Sequence, residues 1–253
     1  MALAALTFQS QCLRRPVQVT VLLPDGQTPR AVLYLLPGYS DGHASFVRNT
    51  ALERYCAGLP LAVVMPDGEN GFYTDAIHGD AQWSYVSREL PQLLERWLRL
   101  EGCRQYAGGI SMGGYGAAKL ALRQPERFQQ VFLLSPVADI GKVAEEGLDT
   151  AKGPVNPAFE NLSLTNIFGP VSPRGTQEDL YRLLADAPAA SLPPVCIYTG
   201  TEDFMYEDIV ALAQSFRKKG VPCELTTAPG WHSWAVWEAF LADLVARIGA
   251  QLA

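Results

Sequence analysis

Two serines of this chain sit in the pattern Gly-x-Ser-x-Gly: Ser40 in Gly38-Tyr39-Ser40-Asp41-Gly42, and Ser111 in Gly109-Ile110-Ser111-Met112-Gly113. After a strand, such a pattern describes a sharp strand-to-helix turn. Its glycines let the backbone fold tightly and lift the serine hydroxyl above the sheet. Five residues alone are weak evidence, because short motifs recur by chance. The residues after each serine separate the two. Gly113, Gly114, Gly116, Ala117 and Ala118 open a helix able to pack closely on a sheet, and Leu120 and Leu122 continue it to Pro125. Ser40 instead precedes Asp41-Gly42-His43, a turn sequence that would not start such a helix. Ser111 is the candidate nucleophile, and Ser40 belongs to the loop facing it.

A serine nucleophile needs a base and an acid, which in this arrangement come after it in the order acid, then histidine. The apolar run Val195–Thr199 ends in Gly200-Thr201-Glu202-Asp203. Asp203 is the candidate acid; its alternative role is to cap the next helix. A further strand, Glu224–Ala228, leads into Pro229-Gly230-Trp231-His232-Ser233-Trp234. Of the three histidines, His232 alone lies in a loop between a late strand and the closing helix, whereas His43 and His78 come too early. His232 would take the proton of Ser111 as the serine attacks a carbonyl, and Asp203 would orient the ring and stabilise its charge. Met112 N–H is one donor to the oxyanion. The second comes from the loop after Ala31–Leu36, where Pro37 has no N–H to give; Tyr39 is the first choice and Gly38 the alternative. Losing one such donor typically costs about 3–4 kcal/mol of transition-state stabilisation. No cofactor is required, and the histidine spacing offers no metal constellation. Aromatic residues crowd these loops. Tyr73, Trp83, Phe204, Trp231 and Trp234 are candidates to line the substrate pocket, with ordinary core packing as the alternative for each.

These residues need a sheet to hold them. Val17–Leu23 alternates apolar and polar residues and runs into Pro24-Asp25-Gly26, a hairpin signature. Ala31–Leu36, Leu61–Met65, Tyr106–Ile110, Gln130–Leu134 and Val195–Thr199 are short apolar runs bounded by turn residues, as in a parallel sheet covered on both faces. Between them Ser87–Leu100 reads as an amphipathic helix with Ser87 as its cap, Pro91 in its first turn, and Leu90, Leu93, Leu94, Trp97 and Leu98 on one stripe. A last helix covers about Ala235–Leu252. The order predicts an α/β fold, a mostly parallel sheet with an antiparallel start and helices on both faces, in one domain spanning residues 1–253. Asp139–Leu192 breaks the rhythm. It is polar, rich in Pro and Gly, and is expected to hold one helix near Gln177–Asp186; it reads equally as a lid insertion or a variable loop.

Composition narrows the function. With 253 residues, 48% hydrophobic, the chain can build a large core. Its 20 basic against 26 acidic residues, net −6, leave no footprint for nucleic acid. No apolar run reaches the roughly 18–20 residues of a membrane span, and Met1–Leu6 runs into a strand rather than forming a signal peptide. The five cysteines, odd in number and without a CxxC pair, read as buried apolar residues of a reducing cytoplasm. A homo-oligomer is compatible with all of this.

Several separated blocks carry a family resemblance: Val32–Tyr39, Arg48-Asn49-Thr50, Val63–Asp67, Asn70–Asp75, Gly109–Gly114, Gly200–Phe204 and His232-Ser233-Trp234. Together they resemble the esterase D-like α/β-hydrolases, nearest the bacterial tributyrin esterases, with S-formylglutathione hydrolases, acetylxylan and feruloyl esterases and mycolyltransferases as more distant relatives. The resemblance covers most of the chain and is weakest over Asp139–Leu192. It implies the α/β-hydrolase fold and serine carboxylesterase activity on small acyl groups, with Ser111, Asp203 and His232 as the triad and a small-molecule ester as partner. The chain departs from its relatives at Pro37, where they usually carry histidine, which changes how the oxyanion loop must be braced. Two alternatives are kept: thioester hydrolysis or acyl transfer on the same triad, and a catalytically silent binding protein of this fold.

Overall fold

Residues 1–147 and 164–253 are described by the computed structural model of the chain. Within them the strands are β1 (Ala2–Gln9), β2 (Pro16–Leu23), β3 (Ala31–Leu36), β4 (Leu61–Pro66), β5 (Arg104–Ile110), β6 (Phe128–Leu134), β7 (Val195–Gly200) and β8 (Cys223–Ala228). They form one sheet in the order β1-β2-β4-β3-β5-β6-β7-β8. The first two pairings, β1 with β2 and β2 with β4, are antiparallel, and all others are parallel. The expected α/β-hydrolase architecture is therefore present.

β3, β4 and β7 are buried at every position, which explains why they read as continuous apolar runs rather than alternations. Their side chains feed two separate apolar layers. Tyr34, Leu36, Val64 and Leu133 face one; Leu33, Leu35, Val63 and Leu134 face the other. The short helices α1 (Ser45–Asn49) and α2 (Leu52–Tyr55) cover the second layer together with the closing helix α10 (Trp234–Leu252). The first is covered by α4 (Leu90–Leu98), α5 (Met112–Arg123), α8 (Leu180–Asp186) and α9 (Tyr206–Lys219). The remaining helices are α3 (Gln82–Ser84), α6 (Ile140–Glu146) and α7 (Thr165–Phe168). Among the described residues no helix is long and apolar enough to cross a membrane.

Four expectations change. The turn at Pro24-Asp25-Gly26 does not join paired strands, because β2 pairs with β1 and β4 while β3 lies between β4 and β5. β4 takes the place beside β2, and β3 sits between β4 and β5 as parallel neighbours, so β2 and β3 form no hairpin. Ser87 is not a helix cap. The helical run begins at α3 and passes through a π turn at Tyr85–Glu89 before α4. Proline at 91 clashes with the carbonyl four residues back. The π turn absorbs this, with Leu90 N–H bonded to Tyr85 O and the released Ser87 carbonyl taken by Arg127 Nη1 at 3.0 Å. Trp97 is 49% exposed instead of lying on the apolar stripe, and it meets Phe8 edge-on. Finally, the 139–192 segment holds α6 and α7 as well as the expected α8; its residues 148–163 lie outside those described.

Candidate active site

β5 carries the elbow. Past Ile110 the chain turns at Ser111 with φ 53° and ψ −116°, a conformation that costs a non-glycine residue about 1–3 kcal/mol. Hydrogen bonds hold it there: Ser111 N–H donates to Leu134 O at 2.9 Å, and its carbonyl accepts from Tyr115 and Val137 N–H, both at 3.1 Å. The flanking glycines are set by close approach. A Cβ on Gly113 would fall on the carbonyls of Leu36 and Pro37, and one on Gly109 would strike the Gly113 backbone.

The candidate acid and base sit past the ends of β7 and β8. A Cβ on Gly200 would strike the Gly230 carbonyl, so the two loops cross in contact. His232 Nδ1 lies 2.8 Å from Asp203 Oδ2, with side-chain exposures of 6% and 0%. A carboxylate can only accept, so the proton is on Nδ1 and Nε2 is left as an acceptor. Among the described residues that Nε2 and the Ser111 Oγ are both buried and without a hydrogen-bond partner. One is a potential acceptor and the other a potential donor. Asp203 Oδ1 accepts Met205 N–H at 3.0 Å, so the carboxyl orders its own loop while facing His232. Burial alone would raise this carboxyl. The His232 ring beside it, with hydrogen bonds from His232, Ser135 and Met205 N–H, outweighs burial and holds it below the usual carboxylate range.

Sequence reasoning missed two residues behind the acid. Trp237 Nε1 donates to Ser135 Oγ at 3.0 Å, which leaves the Ser135 hydroxyl proton for Asp203. The Trp237 ring also stands at 90° to His232, centroids 4.8 Å apart, and Phe204 lies 4.8 Å from the same ring. The available signal was a serine ending a parallel strand, together with an indole on an otherwise apolar helix face, since a buried indole N–H requires an acceptor.

The oxyanion candidates lie after two neighbouring strands, β3 and β5. Met112 begins α5, and the N–H groups of a first helical turn have no intrahelical acceptor. Gly38 and Tyr39 come after β3, which pairs with β5 up to Leu36 and Gly109. Ser40, in contrast, is exposed at φ 64°, its N–H on Asn70 Oδ1, with no helix until Ser45.

The pocket candidates divide. Phe204 packs against the His232 ring, and Trp231, the residue before it, is 44% exposed. Trp234 packs edge-on against Phe46 and Trp237. Trp83 lies under Arg123, 4.1 Å from its ring centroid, and beside Lys119. That is the far half of α5, so Trp83 is away from the Ser111 turn. Tyr73 is 1% exposed, and its hydroxyl is engaged on the Pro37 carbonyl behind the oxyanion loop. Contacts with α5 charges and with a backbone carbonyl decided both cases, and neither is readable from composition.

Of the other histidines, His43 Nδ1 pairs with Thr20 Oγ1 at 2.7 Å and His78 is exposed. Among the described residues no group of three His, Cys, Asp or Glu could hold a metal. The five cysteines are free, and burial pushes Cys56 up to about 12 and Cys12 and Cys223 to about 11. Such thiols are poor nucleophiles near neutral pH.

Residues 10–248 match the profile of the family described as "Putative esterase". The acetyl esterase of Caldicellulosiruptor saccharolyticus is 23% identical over 260 residues, covering 96% of each chain. Among solved structures, the Staphylococcus aureus fluorophosphonate-binding serine hydrolase FphF superposes with a TM-score of 0.86 at 26% identity over 98% of both chains. The S-formylglutathione hydrolase FrmB of the same organism does so with a TM-score of 0.83 at 27% identity, again over 98% of both.

Proposed function

The chain belongs to the esterase family and is a serine ester hydrolase; we propose that it hydrolyses short-chain or small aromatic acyl esters through an acyl-enzyme on Ser111. His232 Nε2 takes the proton of Ser111 Oγ as that oxygen attacks the ester carbonyl. Asp203 balances the imidazolium that forms. Met112 N–H and a donor from Tyr39 or Gly38 receive the charge that develops on the carbonyl oxygen. His232 then gives its proton to the leaving alcohol, and a water activated by the same nitrogen releases the acid.

The observation that carries this reading is the pair of buried atoms without partners, Ser111 Oγ and His232 Nε2, beside a 2.8 Å contact between Asp203 and His232. A buried polar atom left unpaired costs about 1–3 kcal/mol, a cost that a reacting centre explains. The Phe204 ring, 4.8 Å from His232, supplies an apolar wall beside the proposed base.

The test is the hydrolysis rate of p-nitrophenyl esters from acetate to laurate, wild type beside Ser111→Ala. The expected result is a rate that peaks at short chains and is lost in the variant. A Ser111-independent rate, or a peak at laurate, would overturn the assignment of nucleophile or of acyl size. Thioester hydrolysis is the second reading, favoured by the similarity to the S-formylglutathione hydrolase FrmB. A thioester turned over far faster than any oxygen ester would favour it.

A further inference from the structure

Pro37 offers neither an N–H nor a polar side chain, so the loop after β3 can be held at this residue only through its carbonyl. Tyr73 holds it. The phenol hydroxyl donates to Pro37 O at 2.8 Å, and both groups are buried. Within a planar trans peptide the C=O and the N–H point in opposite directions. Holding the Pro37 carbonyl therefore fixes the direction of the Gly38 N–H, and with it the start of the Gly38-Tyr39 turn. Donation to that carbonyl also polarises the peptide and strengthens its N–H as a donor.

The tyrosine is itself held under strain. Phe72 and Tyr73 both have φ 48°, a region that consecutive non-glycine residues occupy only when their surroundings force it. The ring lies in a slot opened by two glycines. A Cβ on Gly116 would overlap the ring, and one on Gly68 would come within 2.8 Å of the hydroxyl. The Tyr73 carbonyl accepts from Lys119 Nζ at 3.0 Å, and the same ammonium donates to Thr74 Oγ1 at 2.9 Å. Lys119 is 0% exposed and pairs with Glu178, just ahead of α8. Tyr115 donates to the Glu178 carbonyl at 2.7 Å, closing the cluster. Burial keeps the Tyr73 phenol protonated, well above its ordinary range, so it stays a donor.

We propose that Tyr73 is a positioning residue that sets the oxyanion loop through the Pro37 carbonyl, and that Lys119, paired with Glu178, holds Tyr73 in its strained conformation. The proposal rests on the Ser111 acyl-enzyme reading. It gives the lysine buried in the nucleophile helix a role, and it removes Tyr73 from the substrate pocket.

Tyr73→Phe deletes the hydroxyl alone. Two readouts are taken: kcat and KM on p-nitrophenyl acetate, and the rate at which a fluorophosphonate probe labels Ser111, since the phosphonyl oxygen occupies the same donors. Displacing a catalytic donor by a fraction of an ångström to 1 Å predicts a fall in kcat of about 10–100-fold. KM should stay within about twofold, with labelling slowed in parallel. The double variant Lys119→Met with Glu178→Gln, which leaves no unpaired buried charge, should give the same signature in a smaller amount. Unchanged kcat and labelling in Tyr73→Phe, or a change confined to KM, overturns the proposal while wild-type turnover leaves the esterase reading standing. A wild type that is labelled but turns over no ester loses that reading, and the labelling ratio alone then decides the role of Tyr73. A wild type that is neither labelled nor active loses both.

Discussion

The Asp203 carboxylate is buried, and an uncompensated buried charge costs several kcal/mol. Here it receives Met205 N–H, His232 Nδ1–H and the Ser135 hydroxyl. Asp203→Asn keeps the shape but offers His232 an amide that can present its own N–H, which disfavours the productive tautomer. By analogy with the serine-protease triad kcat should fall on the order of 10⁴-fold, checked by single-turnover hydrolysis; activity near wild type would move the acid elsewhere. The depressed carboxyl also has a stability consequence. A group whose pKa is lower folded than unfolded contributes stability above its unfolded value, and loses it as pH falls through the folded value. The difference in urea midpoint between wild type and Asp203→Asn should therefore be constant at neutral pH. It should shrink as pH drops below about 4, the ordinary carboxylate range. Ser40, exposed and with no helix directly behind it, should tolerate replacement by alanine with most turnover retained. Loss of activity there would instead identify Ser40 as the nucleophile.

α5 and the turn ahead of it work as one piece, because the helix lies close enough to β3 that no side chain fits between them. Gly113→Ala would drive a methyl into the Leu36 and Pro37 carbonyls, which are backbone and cannot rotate away. The expected cost exceeds about 3 kcal/mol, with turnover lost, measured by chemical denaturation beside the ester assay. A variant as stable and active as wild type would show that the elbow is looser than its contacts indicate. The glycine spacing made this element legible in advance. The π turn before α4 was not legible, because Pro91 at the start of a helix and Pro91 inside one give the same local pattern. Arg127, 36 residues away and bonded to Ser87 O, stabilises the second alternative.

The sheet brings these elements together at the carboxyl ends of its parallel strands. β5 lies between β3 and β6, so the loop after β3 and the turn after β5 are neighbours, while β7 and β8 deliver Asp203 and His232 from the other side. Strand runs, the elbow turn and a candidate serine, acid and histidine in that order could be read directly from the chain, because each is a property of nearby residues or of chain order: an apolar period, a glycine spacing, a residue just past a strand. Partnership could not. Whether β2 pairs with β3 or β4, whether Trp83 meets substrate or Arg123, whether Trp237 reaches Ser135, and whether Lys119 is solvated or buried against Glu178 are settled by surfaces far apart in the chain. A buried polar group must find its partner wherever the fold leaves one. One-dimensional pattern records that Lys119 interrupts an apolar helix and that Tyr73 lies two residues past a glycine. Packing alone determines that the lysine holds the tyrosine, and that the tyrosine holds the carbonyl of Pro37.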